Sequence, residues 1–399
     1  MKGILDKRRG LTLATCCGTH GLQDGLSASI YVLLPVLAQA FGLSYSQVGV
    51  IRAANNTAMS LFEIPSGMLS ERLGERTLLV FGLICAGAGY LSLAAAPGFA
   101  LVLFSLFLAG FGAAFQHALS SSVISTTFEG AGRRSALGIY NSSGDIGKLA
   151  FTGCFSLAIG MGAAWRGVAV GFGLMALIAA AVLLLILRQL DVGSRPPAAV
   201  NAGHAPGKTR WGIRNSTGFT ALAVIVFLDI AVQSGFLTFV PFLMIEKQVP
   251  AGFAAFAVVL TLTGGIFGKF ACGFLAERIG VIRSLVAVEC LTALGVVVVL
   301  LAPTLVAFLL LPLLGLVLQG SSSITYGTVG DLVQGDRQSR GFAAIYSIAS
   351  SAAIVAPVGL GLIGDRYGLT PAMLTMACVV MLPLPLSALL RPALAGEHI

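Results

Sequence analysis

The chain has 399 residues, of which 57% are apolar and only 10% carry a charged side chain. A soluble globular protein has roughly 25% charged residues, so this composition excludes an ordinary soluble domain and indicates a membrane protein. The net charge of +8 requires no nucleic-acid partner, because basic loops that face anionic lipid account for it.

Apolar segments follow one another along the whole chain, each long enough to cross a hydrocarbon core of about 30 Å as a helix of roughly 20 residues. Twelve are predicted, at residues 14–40, 46–69, 77–96, 99–127, 134–160, 164–188, 216–245, 252–276, 282–302, 304–333, 339–364 and 370–391. They are continuous runs of Leu, Ala, Val and Gly, whereas the strands of a membrane barrel would alternate. We therefore predict an all-α membrane protein with twelve transmembrane helices.

The basic residues between these segments predict the orientation. If the N-terminus is cytoplasmic, 18 Lys and Arg residues lie on that side and three, Arg166, Lys247 and Arg366, lie on the other. Positive residues favour the cytoplasmic side. We expect a multi-pass protein of the cell (inner or plasma) membrane with both termini in the cytoplasm.

Cysteines and glycines give no sign of a metal or cofactor. All seven cysteines fall inside apolar segments without paired ligand spacing, and the Gly-rich runs lack the Lys-Ser/Thr of a phosphate loop. No nucleophile–base pair of an enzyme is visible near the membrane surface. The expected partners are a small-molecule substrate and the lipid bilayer, with the protein acting as a monomer.

A charged phrase occurs twice, as "GMLSERLGER" at 67–76 and "GFLAERIGVIR" at 273–283, at a shift of 206 residues. The same shift relates Pro35 to Pro241 and Tyr140 to Tyr346. The sequence therefore predicts two six-helix halves, 1–188 and 216–399, joined by a cytoplasmic linker at 189–215 that is rich in Pro, Gly and basic residues. Halves with an even number of spans share one orientation.

The phrase G-x-L-x-E-R-x-G-x-R after the second segment resembles the loop signature of the major facilitator superfamily. That resemblance implies two six-helix bundles related by a pseudo-twofold axis, working by alternating access around a central cavity. A further resemblance, to the fosmidomycin-resistance branch of efflux carriers, is carried by "HGLQD" (20–24), "FQH" (115–117) and "RSALGIYNSSGDIG" at the start of the fifth segment.

The two copies of the phrase predict a cytoplasmic gate. By pseudo-symmetry, Glu71 would pair with Arg340 and Glu277 with Arg134, each pair contributing on the order of a kcal/mol. The remaining gate residues are Arg72 and Arg278. The alternative is that these charges serve only topology and solvation.

Ionisable residues inside spanning helices cost about 2.5–3.5 kcal/mol and usually face a cavity or a partner. His20 and Asp24 are four residues apart on one helix face, so we predict a proton-coupling pair, with a polar packing patch as the alternative.

Asp229 and Glu63 are further proton-coupling candidates. Glu289 is expected to make a packing or assembly contact at the periphery. Predicted substrate-binding residues are Lys269, Lys148, Asp145, His117, Arg52 and Gln116.

Lys269 resembles the substrate-binding cation of several organic-anion carriers of the superfamily. A metal site is not expected, because His20 and Asp24 have no evident third ligand. The sequence thus favours a proton-coupled secondary transporter of a small organic anion or anionic, amphipathic compound, with export favoured. The alternatives are proton-coupled uptake of a small metabolite and a non-transporting membrane sensor.

Overall fold

The structure is a computed structural model, and it describes residues 2–128, 131–194, 212–334 and 338–391. These ranges contain helices but no β-strand, and an isolated antiparallel bridge joins Ile213 to Val333. The first seven helices are α1 (Lys2–Phe41), α2 (Tyr45–Leu73), α3 (Glu75–Ala94), α4 (Phe99–Ala113), α5 (His117–Thr127), α6 (Ala131–Gly160) and α7 (Trp165–Gln189).

The helices of the second half follow in chain order. Its helices are α8 (Ser216–Glu246), α9 (Ala251–Ala254), α10 (Phe256–Ile279), α11 (Val281–Leu301), α12 (Thr304–Leu332), α13 (Gln338–Tyr367), α14 (Leu369–Val379), α15 (Pro383–Ser387) and a 3₁₀ turn at Ala388–Leu390. Each of the twelve predicted segments is helical, which confirms the all-α plan. The fourth, eighth and twelfth are interrupted, the last at residues 380–382, directly before Pro383 at the start of α15.

Ten helical stretches of the described chain are long and apolar enough to cross a membrane. The two predicted segments that fall short are α2 and α6. Both carry ionisable side chains at membrane depth, among them Arg52 in α2 and Asp145 and Lys148 in α6. These charged and polar side chains lower the hydropathy of α2 and α6.

The chain divides into two compact units, Met1–Gly42 with Ala54–Gly203, and Leu43–Ala53 with His204–Ile399. The first turns of α2 thus group with the second unit. The carboxylate of Asp365 at the end of α13 accepts hydrogen bonds from the backbone N–H groups of Tyr45 and Ser46, at 2.7 and 3.0 Å. These donors have no partner inside their own helix, so Asp365 caps α2.

The internal repeat is visible in the backbone. Three sharp corners with positive φ recur at the predicted shift of 206 residues. The pairs are Gly42 (60°) with Gln248 (66°), Gly74 (78°) with Gly280 (86°), and Gly162 (90°) with Gly368 (89°). Left-handed backbone favours glycine, so the repeated glycines place the helix ends at matched positions in both halves.

Two helices are capped by basic residues that were predicted on the non-cytoplasmic side. The guanidinium of Arg166 donates to the carbonyl oxygen of Ala94 at the end of α3, at 2.7 Å. The ammonium of Lys247 donates to the carbonyl oxygens of Leu300 and Ala302 at the end of α11, at 2.8 and 2.6 Å. Cations stabilise helix C-termini, and α3 and α11 are repeat mates, so both halves use the same device.

Candidate functional site

Glycines bring α1 and α6 into close contact. A Cβ atom added to Gly147 would lie only 2.0 Å from the carbonyl oxygen of Gly21, and one added to Gly25 would overlap the Phe151 ring. Small residues at such positions let two helix backbones approach closely in a membrane. The polar face of α1 is consequently pressed against α6.

A cluster of ionisable side chains lies at this contact, and we name it the Asp24 cluster. Its members are His20 and Asp24 of α1, His117 of α5, and Asp145 and Lys148 of α6. The Oδ2 atom of Asp24 lies 3.0 Å from Nζ of Lys148 and 3.5 Å from Nε2 of His20. The Oδ1 atom lies 3.4 Å from Nε2 of His117, and Lys148 also reaches Asp145 at 3.3 Å. Three of the side chains predicted to bind substrate therefore join the predicted proton-coupling pair.

His20 is held in one orientation by Tyr140. The Nδ1 atom of His20 lies 2.8 Å from the Tyr140 carbonyl oxygen, and the two rings stack with centroids 4.0 Å apart. A carbonyl oxygen only accepts, so Nδ1 carries a hydrogen and donates it. The Nε2 atom is left facing Asp24, where it can take up a proton and become an ion-pair partner.

Gly144 provides the space for this arrangement. A Cβ atom at this position would lie 2.6 Å from Cε1 of His20 and 2.7 Å from Oδ2 of Asp24. The sequence did not mark Gly144 or Tyr140 as site residues, although the small residues of "SSGDIG" indicated a close helix contact. The absence of a side chain at Gly144 lets α6 accommodate the imidazole and the carboxylate.

The charge of the Asp24 cluster depends on protonation. With both imidazoles neutral, two carboxylates and one ammonium give a net charge of −1. One proton on an imidazole brings the sum to 0, and a second brings it to +1. Lys148 and His117 are 36% and 38% exposed while Asp24 is buried, so the cluster combines a buried anion with accessible cationic or titratable groups.

The expectation of no metal site depended on His20 and Asp24 lacking a third ligand, and that premise is wrong. His117 supplies one, and ligand atoms of the three residues lie within 4.8 Å of one another. Lys148 already neutralises Asp24 at the same place. A metal ion would have to compete with this ammonium, and the absence of a metal site stays a prediction.

Gln116 lies behind the cluster in the connection between α4 and α5. It is buried, and its amide donates to the hydroxyls of Thr19 and Ser120, at 3.3 and 2.9 Å. Both amide hydrogens are therefore used inside the first unit. A direct role for Gln116 in substrate binding stays a prediction.

The second unit contains buried acids of its own. Asp229 of α8 is 1% exposed, and Ser321 of α12 contacts both of its carboxyl oxygens, at 2.7 and 2.8 Å. Glu289 of α11 is 0% exposed, so of the two expected contacts, packing or assembly, its side chain makes the packing contact inside its own unit.

The other predicted site residues are distributed along α2 and α10. Arg52 is buried, whereas Glu63 and Lys269 are half-buried. Of the predicted gate residues, Arg72, Glu277 and Arg278 are exposed, and the Arg278 guanidinium stacks on Phe274 at 4.4 Å. The side chains of three further gate residues lie outside the described residues, namely Glu71, Arg134 and Arg340. The gate therefore stays a prediction.

The helical plan, the internal repeat and the intramembrane charges together define a membrane transporter. The family model of the Major Facilitator Superfamily matches residues 17–325 and 222–398. The chain belongs to this superfamily, which confirms the predicted fold class. Its members are transporters rather than enzymes, so the expectation that this chain is not an enzyme is confirmed as well.

Known relatives agree over nearly the whole length. The chain is 29% identical over 378 residues to the uncharacterized MFS-type transporter YfnC of Bacillus subtilis (strain 168), covering 91% of this chain and 88% of the relative. It is 24% identical over 359 residues to the hexuronate transporter of the same organism, covering 86% and 84%. The crystal structure of a bacterial homologue of the human lysosomal transporter Spinster superimposes with a TM-score of 0.82 at 16% identity, covering 98% of both chains, and supports the fold alone.

Proposed function

We propose that this protein is a proton-coupled secondary transporter that moves a small organic anion, or an anionic and amphipathic compound, by alternating access. It would act as a monomer in the cell membrane with both termini cytoplasmic. The observation that carries the proposal is the Asp24 cluster, in which two imidazoles and an ammonium surround a buried carboxylate. Buried ionisable groups of this kind are the usual proton relays of transporters.

The charge of the cluster links protons to the substrate. Lys148 is shared between Asp24 and Asp145, so its charge is already balanced. The cluster carries a net positive charge, and so attracts an anion, only when both imidazoles are protonated. Proton and anion binding then reinforce each other, which favours transport of both in the same direction. The hexuronate carried by one relative is itself an organic anion by name.

Export in exchange for protons is the second candidate direction. It is favoured by the resemblance of "HGLQD" and "FQH" to efflux carriers of the fosmidomycin-resistance branch. Exchange requires proton and substrate to compete for the protein, which fits a neutral or cationic compound better than an anion. The effect of pH on substrate affinity therefore distinguishes the two directions.

The test is transport by purified protein in liposomes, with labelled hexuronate and a panel of other organic anions as probes. An inward proton gradient should drive accumulation of at least one anion, and acidification should raise its affinity. The variant Asp24→Asn should lose accumulation but retain exchange of substrate across the membrane. The matched control is Asp191→Asn, because Asp191 is exposed and lies at the end of the first unit.

Accumulation that persists in Asp24→Asn would remove the Asp24 cluster from the coupling mechanism. If neutral or cationic compounds move while every anion is refused, the proposed substrate class is wrong. Affinity that falls on acidification would assign the protein to proton exchange.

A further inference from the structure

The Ser321 hydroxyl faces both carboxyl oxygens of Asp229 and a backbone carbonyl. The Ser321 hydroxyl oxygen lies 2.7 and 2.8 Å from the two carboxyl oxygens of Asp229 and 3.2 Å from the carbonyl oxygen of Leu318. All three neighbours are acceptors if Asp229 is ionised, and a hydroxyl has only one hydrogen to donate. A proton on Asp229 supplies a second hydrogen: Asp229 then donates to Ser321, which is free to donate to Leu318.

Glu289 lacks the hydrogen-bond donors that an ionised carboxylate would need. Both of its carboxyl oxygens are buried and have no hydrogen-bond partner among the described residues. An ionised carboxylate in that position would be an uncompensated charge at membrane depth, which is costly. A proton removes the charge.

Among the described residues, the titratable groups whose interaction with the two carboxyls is known are neutral or acidic. The charges of Asp229 and Glu289 are close enough to interact with each other. The other titratable groups that interact with them are the thiols of Cys272 and Cys290 and the phenol of Tyr326, which are neutral or anionic. Two neighbouring carboxyls repel each other when both are ionised, which favours a proton at this place.

We infer that Asp229, Ser321 and Glu289 form a second proton-binding site, within the second unit and separate from the Asp24 cluster. The ligand is the proton rather than a metal ion. A hard divalent cation takes about six oxygen ligands, whereas the oxygens of Glu289 have no hydrogen-bond partner among the described residues and need only a proton to lose their charge. The inference does not depend on the identity of the substrate or on coupling at Asp24.

Infrared spectroscopy of the purified protein in lipid at neutral pH tests the site directly. A protonated carboxyl group gives a C=O band that is distinct from carboxylate bands and shifts in heavy water. Asp229→Asn and Glu289→Gln should each remove one such band. Ser321→Ala should shift the Asp229 band and leave that of Glu289 unchanged, and Asp191→Asn should alter neither.

The proposal fails if the bands are unchanged in Asp229→Asn and Glu289→Gln, because both acids would then be ionised. It also fails if sodium or a divalent cation abolishes the bands in the wild-type protein, because the ligand would be that cation. If a variant does not fold, titration of the wild-type protein with rising pH gives the same decision: the site requires bands that persist at neutral pH. A negative transport result for Asp24→Asn leaves these bands unaffected, so the two proposals fail separately.

Discussion

The ammonium nitrogen of Lys148 lies 3.0 Å from Oδ2 of Asp24 and 3.3 Å from Oδ1 of Asp145, so one cation serves two carboxylates. Asp24 is buried, and removal of Lys148 leaves its charge with only the two imidazoles. Loss of one partner of a fully buried pair costs about 3–5 kcal/mol. We expect about 2 kcal/mol for Lys148→Gln, because 36% of the lysine side chain is exposed and solvent screens it.

Thermal unfolding in detergent measures this effect, and the double variant Asp24→Asn with Lys148→Gln provides the control. The double variant should recover most of the lost stability, because neither charge then remains unpaired. Additive losses in the double variant would mean that the two side chains are not energetically coupled.

Gly144→Ala should impair transport while the protein still folds. The added methyl group would overlap His20 and Asp24, at 2.6 and 2.7 Å, and would displace the imidazole or the carboxylate. Overpacking of this kind typically costs about 1–3 kcal/mol. Gly153→Ala in the same helix is the matched control, since a Cβ atom there meets nothing within 4 Å. Equal transport rates for the two variants would show that the contact at Gly144 is not required.

Lys269→Ala tests the predicted anion-binding cation of the second unit. A charged partner of a desolvated anion contributes about 1.5–3 kcal/mol, so affinity should fall roughly ten- to a hundredfold. Binding is measured by scintillation proximity with the transported anion, on variant protein that elutes as a monodisperse particle. Unchanged affinity would make the lysine structural and would remove one support of the anion proposal.

Asp365→Ala should loosen the start of α2. The carboxylate accepts two backbone hydrogen bonds there, and loss of a helix cap costs about 1 kcal/mol. Asp365→Asn should cost less, because the amide oxygen still accepts one bond. Hydrogen exchange of the amides of Tyr45 and Ser46 reports the effect locally, and protection equal to that of the wild type in Asp365→Ala would exclude the capping role.

The cytoplasmic position of the linker is tested by His204→Cys. A membrane-impermeant thiol reagent should label this position in broken cells and not in intact cells. Cys154 and Cys378 are exposed on their helices and should first be replaced by serine, so that the new thiol is the one reported. Labelling of intact cells would reverse the predicted topology.

The sequence predicted the helical segments well because their signals are local. Long apolar runs end at glycine corners and charged loops, so the boundaries at Gly74 and Gly280 could be inferred without tertiary structure. The pairing of His20 with Asp24 was equally local, since residues four apart share a helix face.

The contacts across helices were not predictable in the same way. Lys148 was expected to bind substrate, and its contact to Asp24 depends on how closely α1 and α6 approach. Small residues set that distance, and their effect is three-dimensional. The sequence left open whether Glu289 makes a packing or an assembly contact for a related reason: only the packing within the second unit shows that the side chain is completely buried.

The matched corners of the two halves also have an evolutionary consequence. A duplication of an ancestral six-helix protein explains why Gly74 and Gly162 have counterparts at Gly280 and Gly368 with nearly equal φ. The ionisable residues are not repeated in this way. The 206-residue shift aligns Asp229 with Gln23, and Lys269 with Glu63. After such a duplication the backbone turns were retained because any change would misplace a whole helix. The polar side chains were free to diverge, and the two copies could acquire different chemistry on one inherited scaffold.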